Sequence, residues 1–173
     1  MLKTGCHWRM LPNDFPGWKL EYYYFCKWKR NGTIEEVHEV LRTAVRKAQG
    51  KKASPTLTII GSQSVKMSRQ CGIHKGIDGG KNIKGRKRQI IVYSMGLILV
   101  ADVHAANIHG SKAALKLIHQ QKYRFPKLAK IVANGGYRGA LADKVKNCFG
   151  RILQVFMRKD AKKFDVLPKS WIV

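Results

Sequence analysis

The sequence predicts an α/β fold, a mixed sheet with flanking helices, preceded by a small helical N-terminal segment. From residue 57 onward, short apolar runs typical of strands first follow one another and then alternate with helical stretches. Successive strands favour antiparallel pairing, and alternating strands and helices favour parallel pairing. Before residue 53, apolar residues recur at helical spacing. We therefore expect a helical segment over residues 1–52 and an α/β domain over residues 53–173.

Two helices are predicted in the N-terminal segment, within residues 18–49. The first is rich in aromatic residues, which we expect to pack, with stacking on nucleic-acid bases as the less favoured alternative. These aromatic residues are Tyr22, Tyr23, Tyr24, Phe25 and Trp28. Thr33 and Glu36 fit a capping box at the start of the second helix, and Gly50 ends it. Its apolar residues fall at helical spacing: Ile34, Val37, Val40, Leu41, Ala44, Val45 and Ala48.

The second part begins with a short buried strand, TLTII, and continues with a basic, glycine-rich segment that predicts a loop over residues 62–88. Two apolar stretches, RQIIVYS and LILVADVHA, then predict an antiparallel hairpin that turns at Met95 and Gly96. A helix, a strand ending at Asn134, a helix closed by Gly150 and a last strand complete the order. The longest apolar run is too short to span a bilayer.

The charge is strongly positive, because 34 Lys and Arg residues face 10 Asp and Glu residues, for a formal charge of +24. Such an excess favours a polyanionic partner, and nucleic acid is the commonest one. A merely basic protein is the alternative, and no long basic amphipathic helix supports a membrane surface. A solvated charged loop is the general alternative for a run of basic residues, and the overall charge favours sequence-tolerant contacts with a nucleic-acid phosphate backbone instead. The predicted contact residues are Lys66, Lys81, Lys84, Arg86, Lys87, Arg88 and Arg138.

The four cysteines are scattered and form no CxxC pair, which favours a reducing compartment and predicts a cytoplasmic protein. With DNA as its partner, we expect the protein to be nucleoid-associated. Cys71 and His74 have the spacing of zinc ligands, but no second pair with metal spacing follows. The sequence therefore predicts no zinc site.

One predicted strand ends at Gly61 and another at Asn134. In open α/β sheets, active-site residues commonly lie at such strand ends. Two-metal phosphoryl transfer needs carboxylates at such points, whereas glycine supplies no ligand and asparagine only a neutral oxygen. A relocated metal site using Asp102, Asn134 and a histidine is a less favoured alternative. His104 and His109 are expected to pack or form local hydrogen bonds.

Several long segments resemble bacterial insertion-sequence transposases of the DDE class, in the insertion-sequence-five-like group. The resemblance covers nearly the whole chain and implies an RNase H-like catalytic fold, DNA as the partner, and Mg²⁺-dependent cleavage of transposon ends with strand transfer. The segments that carry it include TGCHWRMLPNDFPGW, IIGSQSVK, KGRKRQIIV, HAANIHGSKAA and VANGGYRG.

The departures from the family pattern decide the predicted activity. The resemblance implies a first catalytic Asp at Gly61, a second at Asn134, and an acid at Gly110. It also implies a Glu directly after Val173 and a segment ahead of TGCHWRMLP, neither of which this sequence contains. We therefore predict a transposase fragment that is inactive in catalysis and uses no cofactor, although intact relatives use Mg²⁺. The alternative is a DNA-binding module that regulates a full-length transposase by associating with it.

Overall fold

The computed structural model describes residues 6–67 and 75–157. The chain divides into two compact units, Met1–Ala53 and Ser54–Val173. Cys71 and His74 lie outside the described residues. Among the described residues, no helix has the length and apolar character needed to cross a membrane.

The first unit contains the predicted helical pair: α1 spans Trp18–Asn31 and α2 spans Thr33–Ala48. Gly32, with a φ of 80°, joins them, because a glycine can adopt the left-handed conformation that reverses the chain within one residue. The predicted capping box is wrong, since Gly32 is the N-cap and Thr33 already lies inside the helix. Instead, Asn31 Oδ1 accepts hydrogen bonds from the backbone N–H and the hydroxyl of Thr33.

The aromatic residues of α1 pack on one another, but they do so at the surface. No residue of α1 is buried. The ring of Trp8 contacts those of Tyr22 and Phe25, with centroids 5.4 and 5.2 Å apart. Tyr24 lies against Trp28 at 5.9 Å.

The second unit is built on a mixed sheet, as predicted, but the sheet has six strands rather than the five that the sequence predicts, because residues 76–78 form an additional one. The strands follow the order β2-β3-β1-β5-β6, and β4 pairs with β3. β1 is antiparallel to β3 and parallel to β5, and β5 is parallel to β6. The strands are β1 (Leu57–Lys66), β2 (Gly76–Asp78), β3 (Ile83–Tyr93), β4 (Ile98–Ala105), β5 (Lys130–Asn134) and β6 (Ile152–Phe156), and the helices are α3 (Gly110–Arg124) and α4 (Leu141–Phe149).

The prediction of a loop over residues 62–88 is wrong, because its two ends are strands. β1 and β3 pair continuously from Thr58 opposite Tyr93 to Lys66 opposite Gly85. A Cβ atom on Gly85 would lie 1.9 Å from the carbonyl oxygen of Val65, so the close approach of the two backbones requires glycine. Both faces of these strand ends carry polar residues, which hides the alternation that identifies a strand.

The sheet has two faces, which we name after what they carry. The helix face packs against α3 and α4 and contributes alternate residues to the main core, whose members include Ile60, Ile91, Val100, Ala114, Leu117, Ile118 and Val145. The opposite face, here called the Gly61 face, carries Ile59, Gly61 and Gln63 of β1. Ile59, Val92 and Val132 form a second, smaller buried cluster there.

The remaining predicted elements are confirmed. β3 and β4 form the expected hairpin, and Gly96, with a φ of 77°, lies in its turn. α3 begins at Gly110, and the side chain of His109 accepts a hydrogen bond from Ser111 N–H, which caps the helix. Gly150 ends α4 in the left-handed conformation.

Candidate functional site

Gly61 and Asn134, the two positions at which the resemblance implies catalytic acids, lie side by side in the sheet. The parallel register of β1 and β5 pairs Ile59 with Val132 and Ile60 with Ala133. Its next step sets Gly61 beside Asn134. Residues in register on neighbouring strands point to the same face, so both positions lie on the Gly61 face, where the two strands end their pairing.

Neither position offers an anionic ligand. Gly61 is buried and pairs with Ile90 of β3. The Oδ1 atom of Asn134 accepts a hydrogen bond of 3.0 Å from the N–H of Gly136 and so caps the short 3-10 helix Gly135–Tyr137. The described residues contain no group of three or more His, Cys, Asp or Glu side chains that could hold a metal ion. These donors do not fit the carboxylate cage that two divalent cations require.

Asp102 does not approach Asn134, because it lies on the other face of the sheet. It is opposite Gln89 in the register, and its carboxylate pairs with Lys116 of α3 at 3.1 Å. His104 points the same way and is buried, with its Nδ1 atom 3.0 Å from the carbonyl oxygen of Ala105. The local hydrogen bonds expected of His104 and His109 are confirmed.

A buried polar network lies on the helix face beside the start of α3. Gln89 Nε2 donates to the carbonyl oxygen of Gly110 at 2.9 Å and to the hydroxyl of Tyr137 at 3.2 Å. Burial raises the pKa of Tyr137, and hydrogen bonds with Ser62 and Gln89 oppose that rise. A Cβ atom on Gly110 would lie 3.2 Å from Ser62 Oγ and 3.4 Å from the Tyr137 hydroxyl. An acidic side chain at residue 110 would therefore require this network to move.

Sequence reasoning missed this network. Gln89 is fully buried although it is polar. Its position at the start of the apolar run QIIVY was a usable signal, because a polar residue at that point of a buried strand needs internal hydrogen-bond partners.

The predicted DNA-binding residues of β3 lie on both faces of the sheet, because successive side chains of a strand point to opposite faces. Lys84, Arg86 and Arg88 alternate with residues of the helix face and therefore lie on the Gly61 face; we call these three the basic stripe. Gln63, opposite Arg88 in β1, accepts hydrogen bonds from its guanidinium group, of which the bond from Nε is 3.0 Å long. Since Gln63 is neutral, it orients Arg88 without compensating its charge.

Lys87 differs from the other predicted contact residues, because its ammonium group is used inside the fold. It is buried on the helix face, lies 3.2 Å from Asp78 Oδ2 and donates to the carbonyl oxygen of Ile108 at 3.1 Å. A hydrogen bond from Ser64 is the largest cause that lowers the pKa of Asp78 to about 2. The sequence predicted Lys87 to be an exposed cation of a basic loop. The structure shows instead that it lies in β3, is buried and is paired with Asp78.

The other predicted contact residues are exposed but dispersed. Lys81 lies in the turn between β2 and β3, and Lys66 ends β1 with the parity of the helix face. Arg138 directly follows the 3-10 helix that Asn134 caps. The two acids that the described strands contain, Asp78 and Asp102, both lie on the helix face. The described strands therefore present cations and no carboxylate on the Gly61 face.

Comparison with models of protein families identifies the family of this chain. The family model described as "Transposase DDE domain" matches residues 52–166, which is more than half of the chain. The chain belongs to the DDE transposase family. A second model, described as "Putative transposase of IS4/5 family", matches residues 1–38 of this transposase chain. No curated protein and no solved structure matches this chain significantly.

Family membership explains the sheet and implies the partner. The DDE transposase domain is RNase H-like, and the central β1, with an antiparallel β3 on one side and a parallel β5 on the other, agrees with that fold. A transposase acts on DNA, so DNA is the implied partner. Neither Gly61 nor Asn134 carries an acidic side chain of the kind that gives the DDE class its name.

Proposed function

We propose that this DDE transposase-family protein binds DNA through the basic stripe and does not catalyse strand cleavage. The observation that carries the proposal is that the basic stripe lies on the same face as Gly61 and Asn134. DNA docked on Lys84, Arg86 and Arg88 would reach Gly61 and Asn134, and it would meet no carboxylate of the described strands on that face.

The geometry of the stripe suits a phosphate backbone. Alternate residues of a strand are roughly 6.6–6.8 Å apart, and the axial rise of two nucleotides in one DNA strand is about 6.8 Å. The stripe can therefore follow every second phosphate of one DNA strand without reading bases. Such contacts release condensed counterions and set position rather than sequence preference.

The proposed inactivity follows from the chemistry of Gly61 and Asn134. A carboxylate bridging two divalent ions compensates their mutual repulsion, and glycine provides no atom for this role. Asn134 provides one neutral oxygen, which already accepts a hydrogen bond from Gly136. Neither residue replaces the negative charge that holds the ions.

The DNA-binding part is tested by measuring the affinity of the full chain for a random-sequence duplex between about 50 and about 200 mM salt. We expect affinity to fall steeply with salt. Replacing Lys84, Arg86 and Arg88 together by alanine should weaken binding and lower the slope of log K against log salt by about 0.9 for each phosphate that the variant no longer neutralises.

The matched control removes the same charge elsewhere. Lys127, Lys144 and Lys146 are exposed, and the last two lie on α4. Their replacement by alanine should change the salt slope much less, because only the general attraction is reduced. Equal reductions in affinity from both triple variants, or binding of the wild type that does not vary with salt, would contradict the assignment of the basic stripe.

The catalytic part needs a separate assay. Purified protein with Mg²⁺ or Mn²⁺ should neither nick nor join DNA that carries the matching transposon ends. Nicking that EDTA abolishes, in a preparation free of host nucleases, would contradict the proposed inactivity and would leave the DNA-binding proposal intact.

A second candidate function is regulation of a full-length transposase by association with it. It is supported by the two family matches in succession, because the chain retains N-terminal and DDE regions that a full-length relative would share. Co-expression should then lower the transposition frequency of an active relative, and an unchanged frequency would argue against it. Because DNA is the partner in both candidates, we expect the protein at the nucleoid, which imaging of a fluorescent fusion would test.

A further inference from the structure

Helix α2 exposes its apolar side. We call the residues on that side the apolar stripe. Val40 is 67% exposed, Leu41 60% and Val37 52%, although these side chains occur at the spacing of a helix that packs against a partner. The apolar stripe consists of Ile34, Val37, Val40, Leu41, Ala44, Val45 and Ala48.

The buried side of α2 is the polar one. Arg42 and Arg46 are the buried residues of the helix, with 3% and 6% of their surface exposed. Arg42 pairs with Glu39, and Arg46 Nε donates to the carbonyl oxygen of Lys52 at 2.7 Å. These two contacts lie within the first unit, on the polar side of α2, and the apolar stripe remains exposed. Exposed apolar surface of this kind marks an interaction site.

Charges beside the apolar stripe indicate what covers it. Glu35, Glu36 and Glu39 lie in the first half of α2, whereas Lys47 lies in the second half. Glu36 and Lys47 are both exposed. They are eleven positions apart, which is within about 20° of three full helical turns, so they lie along the same edge of the stripe. Neither residue has an oppositely charged residue three or four positions away in α2.

We propose that α2 packs antiparallel against α2 of a second copy of this chain, about a two-fold axis beside Leu41. In this arrangement Leu41 meets Leu41 of the second copy, and Val37 meets Val45. Glu36 then lies beside Lys47 of the second copy, and the symmetry forms this ion pair twice. The antiparallel orientation also sets the opposite ends of the two helix dipoles side by side.

A second copy suits this surface better than an acidic partner does. The chain carries a formal charge of +24, so most of its surface repels another copy of itself. Three of its ten acids lie within the first half of α2, and although Glu39 is paired with Arg42, Glu36 lies beside the apolar stripe, where two copies can meet with charge complementarity. An acidic partner would meet repulsion from Glu36. The proposal does not depend on DNA binding or on catalysis.

The first experiment measures the molar mass of the full chain, stripped of nucleic acid, by sedimentation velocity over a range of concentrations. We expect a concentration-dependent dimer. Leu41→Glu should make the protein monomeric, because two carboxylates would face each other at the centre of the interface. Tyr123→Glu, at a residue of α3 that is 75% exposed, is the matched control and should leave the dimer intact. A wild type that is monomeric throughout, or a Leu41→Glu variant that still dimerises, would overturn the proposal.

The second experiment tests the antiparallel register. Glu36→Lys and Lys47→Glu should each weaken the dimer by on the order of tenfold, because each replaces two attractive pairs by two repulsive ones. An equimolar mixture of the two variants should restore it, since each heterodimer again contains two Lys–Glu pairs. Failure of the mixture to recover would overturn the register. The mixing experiment remains informative even if Leu41→Glu lowers the helix content measured by circular dichroism. It does not use that variant, since it compares Glu36→Lys and Lys47→Glu, each measured alone, with their mixture.

Discussion

At the scale of single residues, the second unit holds a buried ion pair that the sequence did not predict. Asp78 and Lys87 lie 3.2 Å apart, with 12% and 9% of their side-chain surface exposed. The hydroxyl of Ser64 donates to Asp78, and the N–H of Gly80 donates to it at 3.1 Å. The Ser64 hydrogen bond is the largest cause of the low Asp78 pKa; burial opposes it, while Lys87 and Gly80 add to it. These contacts join β1, β2 and β3 on the helix face.

We expect Asp78 to make the stability of the protein depend on pH in acid. Its pKa is lowered from 3.8 to about 2, so the unfolded chain binds a proton before the folded one does. The stabilisation, about 2 kcal/mol, is present above the unfolded pKa and is lost as the pH falls from about 5 to about 2. Denaturant unfolding at several pH values should show this decrease in the wild type and lack it in Asp78→Asn.

Ser64→Ala provides the control for that experiment. It removes the largest cause of the pKa shift and keeps the pair with Lys87, so the free energy of unfolding should fall less steeply in acid than in the wild type. If Asp78→Asn retained the full acid dependence of the wild type, another carboxylate would have to be its source.

At the scale of whole elements, Arg151 connects the start of β6 to the carboxyl end of α3 through hydrogen bonds. Its Nη2 atom donates to the carbonyl oxygens of Phe125 at 3.0 Å and Gln121 at 3.3 Å. The residue is only 3% exposed, and burial lowers its pKa. A cation at this position satisfies carbonyl groups that the end of a helix leaves without intrahelical partners and interacts favourably with the helix dipole.

We expect Arg151→Met to lower the free energy of unfolding by about 2–3 kcal/mol, because the carbonyl oxygens lose a charged donor while they stay buried. Arg124→Met is the control, since Arg124 is an exposed cation at the same end of α3 and its removal should change stability by about 0.5 kcal/mol or less. Equal effects from the two variants, measured by denaturant unfolding, would show that Arg151 does not cap the helix.

At the scale of the whole molecule, the charge of +24 dominates. Self-repulsion destabilises a compact state, and salt screens it over a distance that falls from about 30 Å at 0.01 M to about 8 Å at 0.15 M. The same charge favours DNA, which would screen it in the complex. The stability of the isolated protein should therefore depend on its ionic surroundings.

We expect the melting temperature to rise as NaCl is raised from about 0.01 to about 0.15 M, by about 2–4 °C for each kcal/mol of repulsion relieved. Sodium sulfate at equal ionic strength is the control that separates screening from anion binding, since a larger rise with sulfate would indicate bound anions. A melting temperature that stayed constant or fell with NaCl would mean that self-repulsion is not a significant term.

The predictable part of the fold is the part whose pattern is local. Helices α2 and α3 and the hairpin of β3 and β4 follow from apolar periodicity, because one side of each element is apolar along its length. The outer ends of β1 and β3 were mistaken for a loop, because their polar residues occupy both faces and leave no alternation to detect. Their pairing depends on a partner strand some twenty residues away, which a local pattern does not contain.

The sequence by itself determined the transposase family, the positive charge, and the absence of acids at Gly61 and Asn134, since these are properties of residue types and motif order. Only the tertiary structure decided that these two positions adjoin, that Lys84, Arg86 and Arg88 share their face, and that Lys87 is paired internally with Asp78. The physical reason is that the direction of a strand residue depends on the register of its sheet, and its burial depends on elements distant in the chain.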